Sequence, residues 1–325
     1  MDIKKVVVCG GGVLGSQIAF QAQYAGFDTT IWLRSEGSIT RTRPKLDTIK
    51  ANYLKALKKM NETHAHEDFC RGLTKSYDTF DYQECVIKTN HAYDNLKLEL
   101  DLEKAVSDAD LVIEAMTEDF HAKEDMFKQL APLLPEKTIL CTNSSSILPS
   151  KFTHYTGRPH KFLALHFAND IYRNNTAEVM ATKDTDMEIF NEVVDFAWKM
   201  HMVPLQLKKE QAGYLLNSML IPFLGASMDL LVNEISSVED IDAAWTLGTG
   251  APMGPFEILD IIGINTAYEI VKPLAKVPRM LVPYNFKGQA KLLGEMVSEG
   301  KLGKSTGVGF YEYDEEGKIL KKTLK

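Results

Sequence analysis

The sequence predicts an α/β protein in which a doubly wound, mainly parallel sheet precedes an all-helical C-terminal domain. In the first half of the chain, short apolar runs alternate with longer amphipathic ones, as expected where buried parallel strands alternate with helices. Beyond Lys208 helical segments dominate, and Gly and Pro interrupt them at residues 248–257. We therefore place a domain boundary there, with residues 1–208 forming the sheet domain and residues 209–325 the helical domain.

The elements of the first domain can be assigned in order from their apolar patterns. We predict strands at residues 5–9, 29–33, 111–115, 138–142, 162–167 and 203–207. We predict helices at residues 14–25, which Gly26 closes, and at residues 46–60 and 188–200. Residues 61–100 fit the alternation least, because they are polar and rich in histidine, and form either a helical excursion or a flexible arm.

The second domain opens with the most apolar stretch of the chain, residues 212–232. It is long enough to span a bilayer, but Asn217, Pro222 and Asp229 interrupt it, which favours a buried helix. A helix this apolar has to be covered, often by the same helix of a second subunit. We therefore expect a homodimer and no membrane insertion.

Charge and cysteine usage exclude several functional classes. The 325 residues carry a formal net charge of −7, whereas a nucleic-acid-binding protein needs a basic face against the phosphates. The same acidic balance disfavours docking on anionic membranes. The four cysteines are scattered without metal-ligand spacing, which suits a reducing compartment, and no signal-peptide pattern precedes the first strand. We expect a cytoplasmic protein without a metal.

A glycine loop follows the first predicted strand and opens the first helix. Its glycines are Gly10, Gly12 and Gly15, in the spacing G-x-G-x-x-G, with Val13 and Leu14 between the last two. Glycines at these positions allow a tight turn and a close approach of the backbone to a pyrophosphate, while the helix N-terminus supplies N–H donors. The loop therefore predicts a Rossmann-like domain that binds a nicotinamide dinucleotide.

The ribose of that dinucleotide should lie at the carboxyl end of the second strand, where an acidic residue commonly accepts its 2′-hydroxyl. Leu33 occupies this position and cannot accept a hydrogen bond, whereas Asp28 lies at the opposite end of the strand. Arg34 follows and is able to pair with a 2′-phosphate or to remain in solvent. Glu36 is close enough to fold back onto a ribose. The sequence thus leans towards NADP(H) and leaves NAD(H) open.

Oxidation of an alcohol to a ketone requires a base for the hydroxyl proton while a hydride leaves. His166 near the end of an apolar strand has the right chemistry, and Glu178 lies twelve residues further on, at the start of the next apolar run. A carboxylate there could orient the imidazole, as the third group does in catalytic triads. Asn217 is a polar residue in an apolar helix, and a reacting carbonyl or a neighbouring helix would satisfy its amide.

Six stretches of sequence identify a family. They are residues 110–127 (DLVIEAMTEDFHAKEDMF), 142–147 (TNSSSI), 161–170 (KFLALHFAND), 176–180 (TAEVM), 212–224 (AGYLLNSMLIPFL), and the pair GTGAPMGPFEILD and KLGKSTGVGFYEY. Together they resemble the 3-hydroxyacyl-CoA dehydrogenase family over essentially the whole chain. The details of GVLGSQIAFQ, LALHFAN and NNTAEVM resemble most the branch that includes 3-hydroxybutyryl-CoA dehydrogenases and diketoreductase.

The resemblance implies a reaction, the reversible conversion of a 3-hydroxyacyl-CoA to a 3-oxoacyl-CoA by hydride transfer to NAD(P). It makes His166 the general acid/base and Glu178 its orienting partner, while Ser145 and Asn217 hold the substrate oxygen. It also implies that four side chains contact the cofactor, namely Glu118, Lys123, Ser145 and Asn169. A further side chain, Lys59, is implied to contact coenzyme A. Ser144 and Ser146 are either further ligands or helix caps.

Several departures from the family pattern bear on the substrate. The family usually has Asp where this chain has Leu33, and Pro where it has Asp170. Some members have a lysine where Ser305 stands and a coenzyme-A-contacting serine where Asn52 aligns. These departures leave room for a diketoreductase-like enzyme that reduces free 3-oxo or diketo acids and esters. A third possibility is a non-catalytic, crystallin-like cofactor-binding protein, against which the intact His–Glu–Ser–Asn set argues.

Overall fold

The computed structural model describes residues 2–320 and contains two compact units. The first unit ends at Leu215 and the second begins at Leu216. Each has a hydrophobic core of its own. Among the helices of residues 2–320, none is both long enough and apolar enough to cross a bilayer.

An eight-stranded sheet forms the centre of the first unit, in the order β3-β2-β1-β4-β5-β6-β7-β8. The strands are β1 Lys5–Cys9, β2 Asp28–Trp32, β3 Lys97–Glu99, β4 Leu111–Glu114, β5 Ile139–Thr142, β6 Phe162–Phe167, β7 Thr176–Ala181 and β8 Val203–Leu207. Neighbouring strands are parallel except β6 and β7, which pair antiparallel. The predicted doubly wound α/β class is confirmed, and the antiparallel pair is an addition to it.

Helices cover both faces of this sheet. They are α1 Val13–Tyr24, α2 Glu36–Thr63, α3 Tyr82–Asn95, α4 Leu102–Val106, α5 Phe120–Leu130 and α6 Met187–Lys199. The side chains of β1 alternate between the two resulting cores, since Val6 and Val8 join one and Val7 and Cys9 join the other. A strand buried on both faces reads as a continuous apolar run, which is why the sequence pattern identified it.

The helix predicted at residues 46–60 is much longer in the structure. α2 begins at Glu36 and continues through Pro44, whose side of the helix faces solvent. Residues 61–100 then form short 3-10 turns, α3 and the edge strand β3, with Cys70 and Leu73 buried in the core. The segment is therefore a packed helical excursion, which adds one strand that its polar sequence did not indicate.

The second unit is helical. Its helices are α7 Leu216–Val232, α8 Val238–Thr249, α9 Pro255–Ile262, α10 Ile264–Leu274 and α11 Phe286–Ser298. The apolar pattern suggested a start at residue 212, but α7 begins at Leu216 because Gly213 and Tyr214 have φ of +78° and +54°. Backbone in this left-handed region cannot continue into a right-handed helix.

Two buried aspartates organise the glycine-rich stretches of the second unit. Asp260 accepts hydrogen bonds from the backbone N–H groups of Phe310 and Tyr311 at 2.8 and 2.9 Å, and from the Tyr313 hydroxyl at 2.9 Å. Asp242 accepts from the N–H of Phe256 at 2.9 Å and from the Tyr311 hydroxyl at 2.9 Å. Burial raises the pKa of Asp260 above its ordinary value. These acids therefore stabilise the path of the chain.

Candidate active site

The glycine loop has the shape that a dinucleotide requires. Gly10 has φ of +127°, and a Cβ there would lie 2.6 Å from the carbonyl oxygen of Ala115. A Cβ on Gly15 would collide with the Gly10 carbonyl, so both positions need glycine. A Cβ on Gly12 would meet no atom within 4 Å, so open space lies over this glycine at the N-terminus of α1. A pyrophosphate fits this space, where the first N–H groups of the helix are available.

A cleft of about 470 Å³ runs from the glycine loop along the carboxyl ends of the central strands. Most of the predicted cofactor residues line it, and these are Gly10, Gly12, Val13, Leu14, Gly15, Leu33, Arg34, Glu118 and Ser145. Lys123 and Asn169 are not among the lining residues. The side chain of Lys123 is buried beneath Glu118, and Asn169 lies exposed in the loop after β6.

The end of the cleft at β2 has no carboxylate at the ribose position. Leu33 is 3% exposed, and Arg34 follows it at the edge of the cleft. Glu36 begins α2, where it is exposed and outside the set of lining residues. Two cations that the sequence reading had not singled out, Arg41 and Lys45, line the cleft beside Arg34 because α2 extends back over their positions.

The antiparallel pairing of β6 with β7 places His166 directly opposite Glu178. The imidazole Nδ1 lies 2.9 Å from Oε2 of Glu178, and its Nε2 lies 3.1 Å from Oγ of Ser145. Both members of the pair are buried, with 8% of His166 and 3% of Glu178 exposed. When Nδ1 donates its proton to the carboxylate, Nε2 is the acceptor, and it points to a hydroxyl that itself lines the cleft. Three predicted site residues are thus brought together.

Tyr214 is a neighbour of this pair that the sequence reading missed. Its ring stacks on the His166 imidazole with centroids 4.5 Å apart and planes inclined by 13°. Its hydroxyl donates to the carbonyl of Ser144 at 2.7 Å, and burial raises its pKa. The next residue continues the contact, since the N–H of Leu215 donates to Oε1 of Glu178 at 2.9 Å. The left-handed backbone at Tyr214 turns its ring onto the imidazole, and sequence patterns do not encode such a turn in a non-glycine residue.

Glu118 and Lys123 belong to a polar network beside the cleft, in which Lys123 is buried and Glu118 is partly exposed. Oε1 of Glu118 accepts hydrogen bonds from the hydroxyls of Ser144 and Ser146 at 2.7 and 2.8 Å. Lys123 lies 2.7 Å from Glu114 and 3.4 Å from Glu118. Burial alone would raise the pKa of Glu118, but the serine hydrogen bonds and the charge of Lys123 leave it lowered. Ser144 and Ser146 thus fix a carboxylate at the cleft rather than cap a helix.

Two further predicted residues, Asn217 and Lys59, are not among the residues that line the cleft. Asn217 stands half-buried in the first turn of α7. Lys59 forms an ion pair of 2.5 Å with Asp68, a buried acid whose pKa is lowered first by this lysine. Asn143 was missed, although it lines the cleft and its Oδ1 accepts from the N–H of Phe167 at 3.0 Å. It directly follows the run TILCT, at the carboxyl end of β5, where an amide is a recognisable signal.

A glycine loop that accommodates a pyrophosphate, a cleft along the strand ends and a histidine–carboxylate pair beside it define a class. That class is the oxidoreductases that use a nicotinamide dinucleotide.

Comparisons with known proteins identify the family. The model of the NAD-binding domain of 3-hydroxyacyl-CoA dehydrogenase matches residues 5–211, and that of its C-terminal domain matches residues 213–313. Human mitochondrial hydroxyacyl-coenzyme A dehydrogenase is 32% identical over 96% of this chain and 91% of its own. A 3-hydroxybutyryl-CoA dehydrogenase of Clostridioides difficile is 29% identical over 95% and 99%. A solved structure of diketoreductase, described for its substrate-directed dual catalysis of dicarbonyl compounds, is 42% identical to this chain. The match has a TM-score of 0.83 and covers 96% of this chain and 100% of that one. The chain belongs to the 3-hydroxyacyl-CoA dehydrogenase family of NAD-dependent oxidoreductases.

Proposed function

We propose that this enzyme interconverts a 3-hydroxyacyl-CoA and a 3-oxoacyl-CoA, with His166 as the general acid/base. The observation that carries the proposal is the chain of contacts from Glu178 through the imidazole to Ser145, a hydroxyl that lines the dinucleotide cleft. It connects a proton acceptor to the wall of the cleft along which a cofactor would lie. A buried carboxylate on the far ring nitrogen fixes the tautomer that accepts at Nε2.

Each side chain has a separate part in the proposed reaction. In the oxidative direction Nε2 of His166 takes the hydroxyl proton, and Glu178 stabilises the imidazolium that results. Ser145, with Asn217 as the second proposed donor, holds the reacting oxygen. A bound nicotinamide dinucleotide would supply or accept the hydride. In the reductive direction the protonated imidazole returns its proton to the oxygen of the 3-oxo group.

The cofactor contacts proposed for this chain extend from the glycine loop to the carboxyl end of β2. Gly10, Gly12 and Gly15, with the N–H groups of Val13 and Leu14, would hold the pyrophosphate. Glu118 would meet the nicotinamide half from the network with Lys123, and Asn169 is the further proposed contact. Arg34 favours NADP(H), whereas the NAD-binding family model favours NAD(H).

A second substrate class is favoured by two observations. The first is the 42% identity to the structure described for catalysis of dicarbonyl compounds by diketoreductase. The second is that Lys59, the proposed contact to coenzyme A, already forms an ion pair with Asp68. A diketoreductase-like enzyme would reduce free 3-oxo or diketo acids and esters and would need no coenzyme A contact.

Reduction of acetoacetyl-CoA and of ethyl acetoacetate by the purified protein, each with NADH and with NADPH, separates the two substrate classes. The main proposal expects kcat/KM at least about 100-fold higher for the thioester, because the coenzyme A moiety adds binding energy. A higher kcat/KM for the ester would overturn it in favour of the diketoreductase-like reading. Turnover of neither substrate by a protein that binds dinucleotide would support the non-catalytic, crystallin-like role.

We also propose that residues 1–208 bind the dinucleotide and that residues 209–325 contribute substrate binding and dimerisation. α7 exposes large apolar side chains on one face, with Leu216 at 44% and Met219 at 66%, and such a face is typical of a subunit interface. The proposed homodimer is tested by sedimentation equilibrium of the full chain, in which Met219→Lys should shift the mass towards a monomer. Four unpaired cysteines suit the proposed cytoplasmic location.

A further inference from the structure

Positive side chains gather at the end of the cleft next to β2, and we call Arg34, Arg41 and Lys45 the basic cluster. All three line the cleft, together with Ser38. Ser38, Arg41 and Lys45 are spaced by three and four residues in α2, so they lie on one face of the helix. Arg34 joins them from the turn that connects β2 to α2. The cluster therefore surrounds the position where a ribose would follow the strand end.

Hydrogen bonds order this face of α2, and one of them ties it to the glycine loop. Nη2 of Arg41 donates to Oγ of Ser38 at 3.1 Å, and Nζ of Lys45 donates to the carbonyl of Arg41 at 2.7 Å. Thr42, on the same face, donates to the carbonyl of Gly11 at 3.2 Å. The bond from Thr42 ties the face of α2 that carries Arg41 and Lys45 to the loop that would hold the pyrophosphate, so one ligand would reach both.

Within residues 2–320, the side chains of Arg41 and Lys45 form no ion pair with a carboxylate that lines the cleft. Arg41 and Lys45 stand four residues apart, where two like charges repel each other along a helix. Their hydrogen bonds go to a hydroxyl and a carbonyl, which are neutral groups. Of the described residues that line the cleft, Glu118 is the one carboxylate, and it is engaged by Ser144 and Ser146. Leu33 offers no acceptor to a 2′-hydroxyl, so the site is suited to an anion there instead.

We propose that the basic cluster and Ser38 bind the 2′-phosphate of NADP(H), so that this chain prefers the phosphorylated dinucleotide. Two guanidinium groups and an ammonium are the donors that a phosphate dianion pairs with most strongly. This assignment rests on one part of the proposed function, namely that the cleft binds the dinucleotide. It extends that proposal by giving the ribose end a specificity and by adding Ser38, Arg41 and Lys45 to the cofactor contacts.

Adenosine fragments test the assignment without any hydride transfer. Titration calorimetry on the full-length protein compares 2′,5′-ADP with 5′-AMP, which differ only by the 2′-phosphate. We expect 2′,5′-ADP to bind at least about 10-fold more tightly, as charge-assisted hydrogen bonds to a phosphate would provide. This advantage should shrink as salt is raised, because the cluster is accessible to solvent. Equal affinities for the two fragments at low salt would overturn the proposal.

A matched pair of variants assigns the effect to the basic cluster. Arg41→Gln should reduce the ratio of the two fragment affinities by about 10-fold. Arg43→Gln removes the same charge two residues away, from an exposed side chain that is not among the lining residues, and should leave the ratio within about twofold. An equal reduction by both variants would mean that general surface charge, and not the cluster, attracts the phosphate, and would contradict the assignment.

The outcomes for this inference and for the proposed function are distinguishable. If 2′,5′-ADP binds more tightly and neither acyl substrate is turned over with NADPH or NADH, the phosphate site stands and the proposed reaction fails. If the thioester is reduced with NADH and the two fragments bind equally, the reaction stands and the phosphate site fails.

Discussion

Buried carboxylates occur in both units of this molecule, and their partners differ. In the first unit, Glu178 meets His166, and Glu114 meets the ammonium of Lys123 at 2.7 Å. In the second unit, Asp260 meets backbone N–H groups and a tyrosine hydroxyl, and Asp242 does the same. Glu178 faces an imidazole, a side chain able to gain and lose a proton near neutral pH, whereas Asp242 and Asp260 face donors that stay neutral there.

The two kinds of partner indicate two roles for a buried carboxylate, one in a reaction and one in holding the fold. A carboxylate beside an imidazole orients the ring and stabilises the imidazolium when the ring takes up a proton during a reaction. A carboxylate that accepts two N–H groups and a hydroxyl fixes loops that have few apolar contacts of their own. We therefore expect changes at the His166–Glu178 pair to reduce turnover with little effect on folding, and changes at Asp242 or Asp260 to lower stability.

The largest expected effect is at His166. We predict that His166→Gln lowers kcat by at least about 1,000-fold, because glutamine keeps hydrogen bonding but cannot carry the proton. The dissociation constant for dinucleotide, measured by calorimetry, should stay within about threefold, and the melting temperature should change little. His121→Gln is the matched control, since His121 is exposed on α5, and its turnover should be unchanged. Wild-type turnover in His166→Gln would remove the acid/base assignment.

A smaller loss of turnover is expected at Tyr214, which positions the imidazole without taking its proton. We predict that Tyr214→Leu lowers kcat on the order of 10- to 100-fold while the KM for the dinucleotide is unchanged, since a tilted ring misplaces Nε2. Tyr214→Phe keeps the stacked ring and loses the hydrogen bond to Ser144, so kcat should recover to within about threefold of wild type. Equal losses in the two variants would show that the hydroxyl, and not the stacking, is what the reaction needs.

The prediction for the second unit concerns stability. Asp260→Asn should lower the free energy of unfolding of this unit by about 3 kcal/mol, because an amide cannot accept all the hydrogen bonds that the carboxylate does. Thermal and urea unfolding of the full chain measure the loss. Asp240→Asn removes an exposed carboxylate from the same unit and serves as the control. A variant as stable as wild type would contradict the architectural role.

The pH dependence of the same unit gives a further check on Asp260. Burial raises the pKa of Asp260 above its ordinary value of 3.8. At pH values just above 3.8, the carboxyl group is therefore still protonated in the native state and already ionised in the unfolded state. Stability should therefore fall as the pH rises through this range, and Asp260→Asn should lack that component.

The sequence was sufficient for the main features of both units. Apolar runs such as VVV in β1 identify strands buried on both faces, and the glycine spacing together with its strand–helix context identified the dinucleotide loop. The pairing of His166 with Glu178 could be anticipated from the resemblance, since their separation of twelve residues matched the family pattern.

Features that depend on long-range packing could not be read from the sequence. The β6–β7 pair is antiparallel, which local apolar runs do not indicate, because each strand has the same appearance in either orientation. The first turns of α2 contain Gly37, threonines and Pro44, which are poor helix formers, so Arg41 and Lys45 were not placed on a helical face. Tyr214 was hidden for a different reason, namely a left-handed backbone at a residue that seldom adopts one.

The contacts of Tyr214 and Leu215 have a practical consequence for anyone who expresses the first unit by itself. A fragment that ends at residue 208, where the composition changes, would omit the aromatic ring that lies on the imidazole and the N–H that binds Glu178. Such a fragment would lack the ring that covers one face of the proposed catalytic histidine. A crystallographer or enzymologist should extend the fragment to Leu215, because the last residues of this unit contact His166 and Glu178 directly.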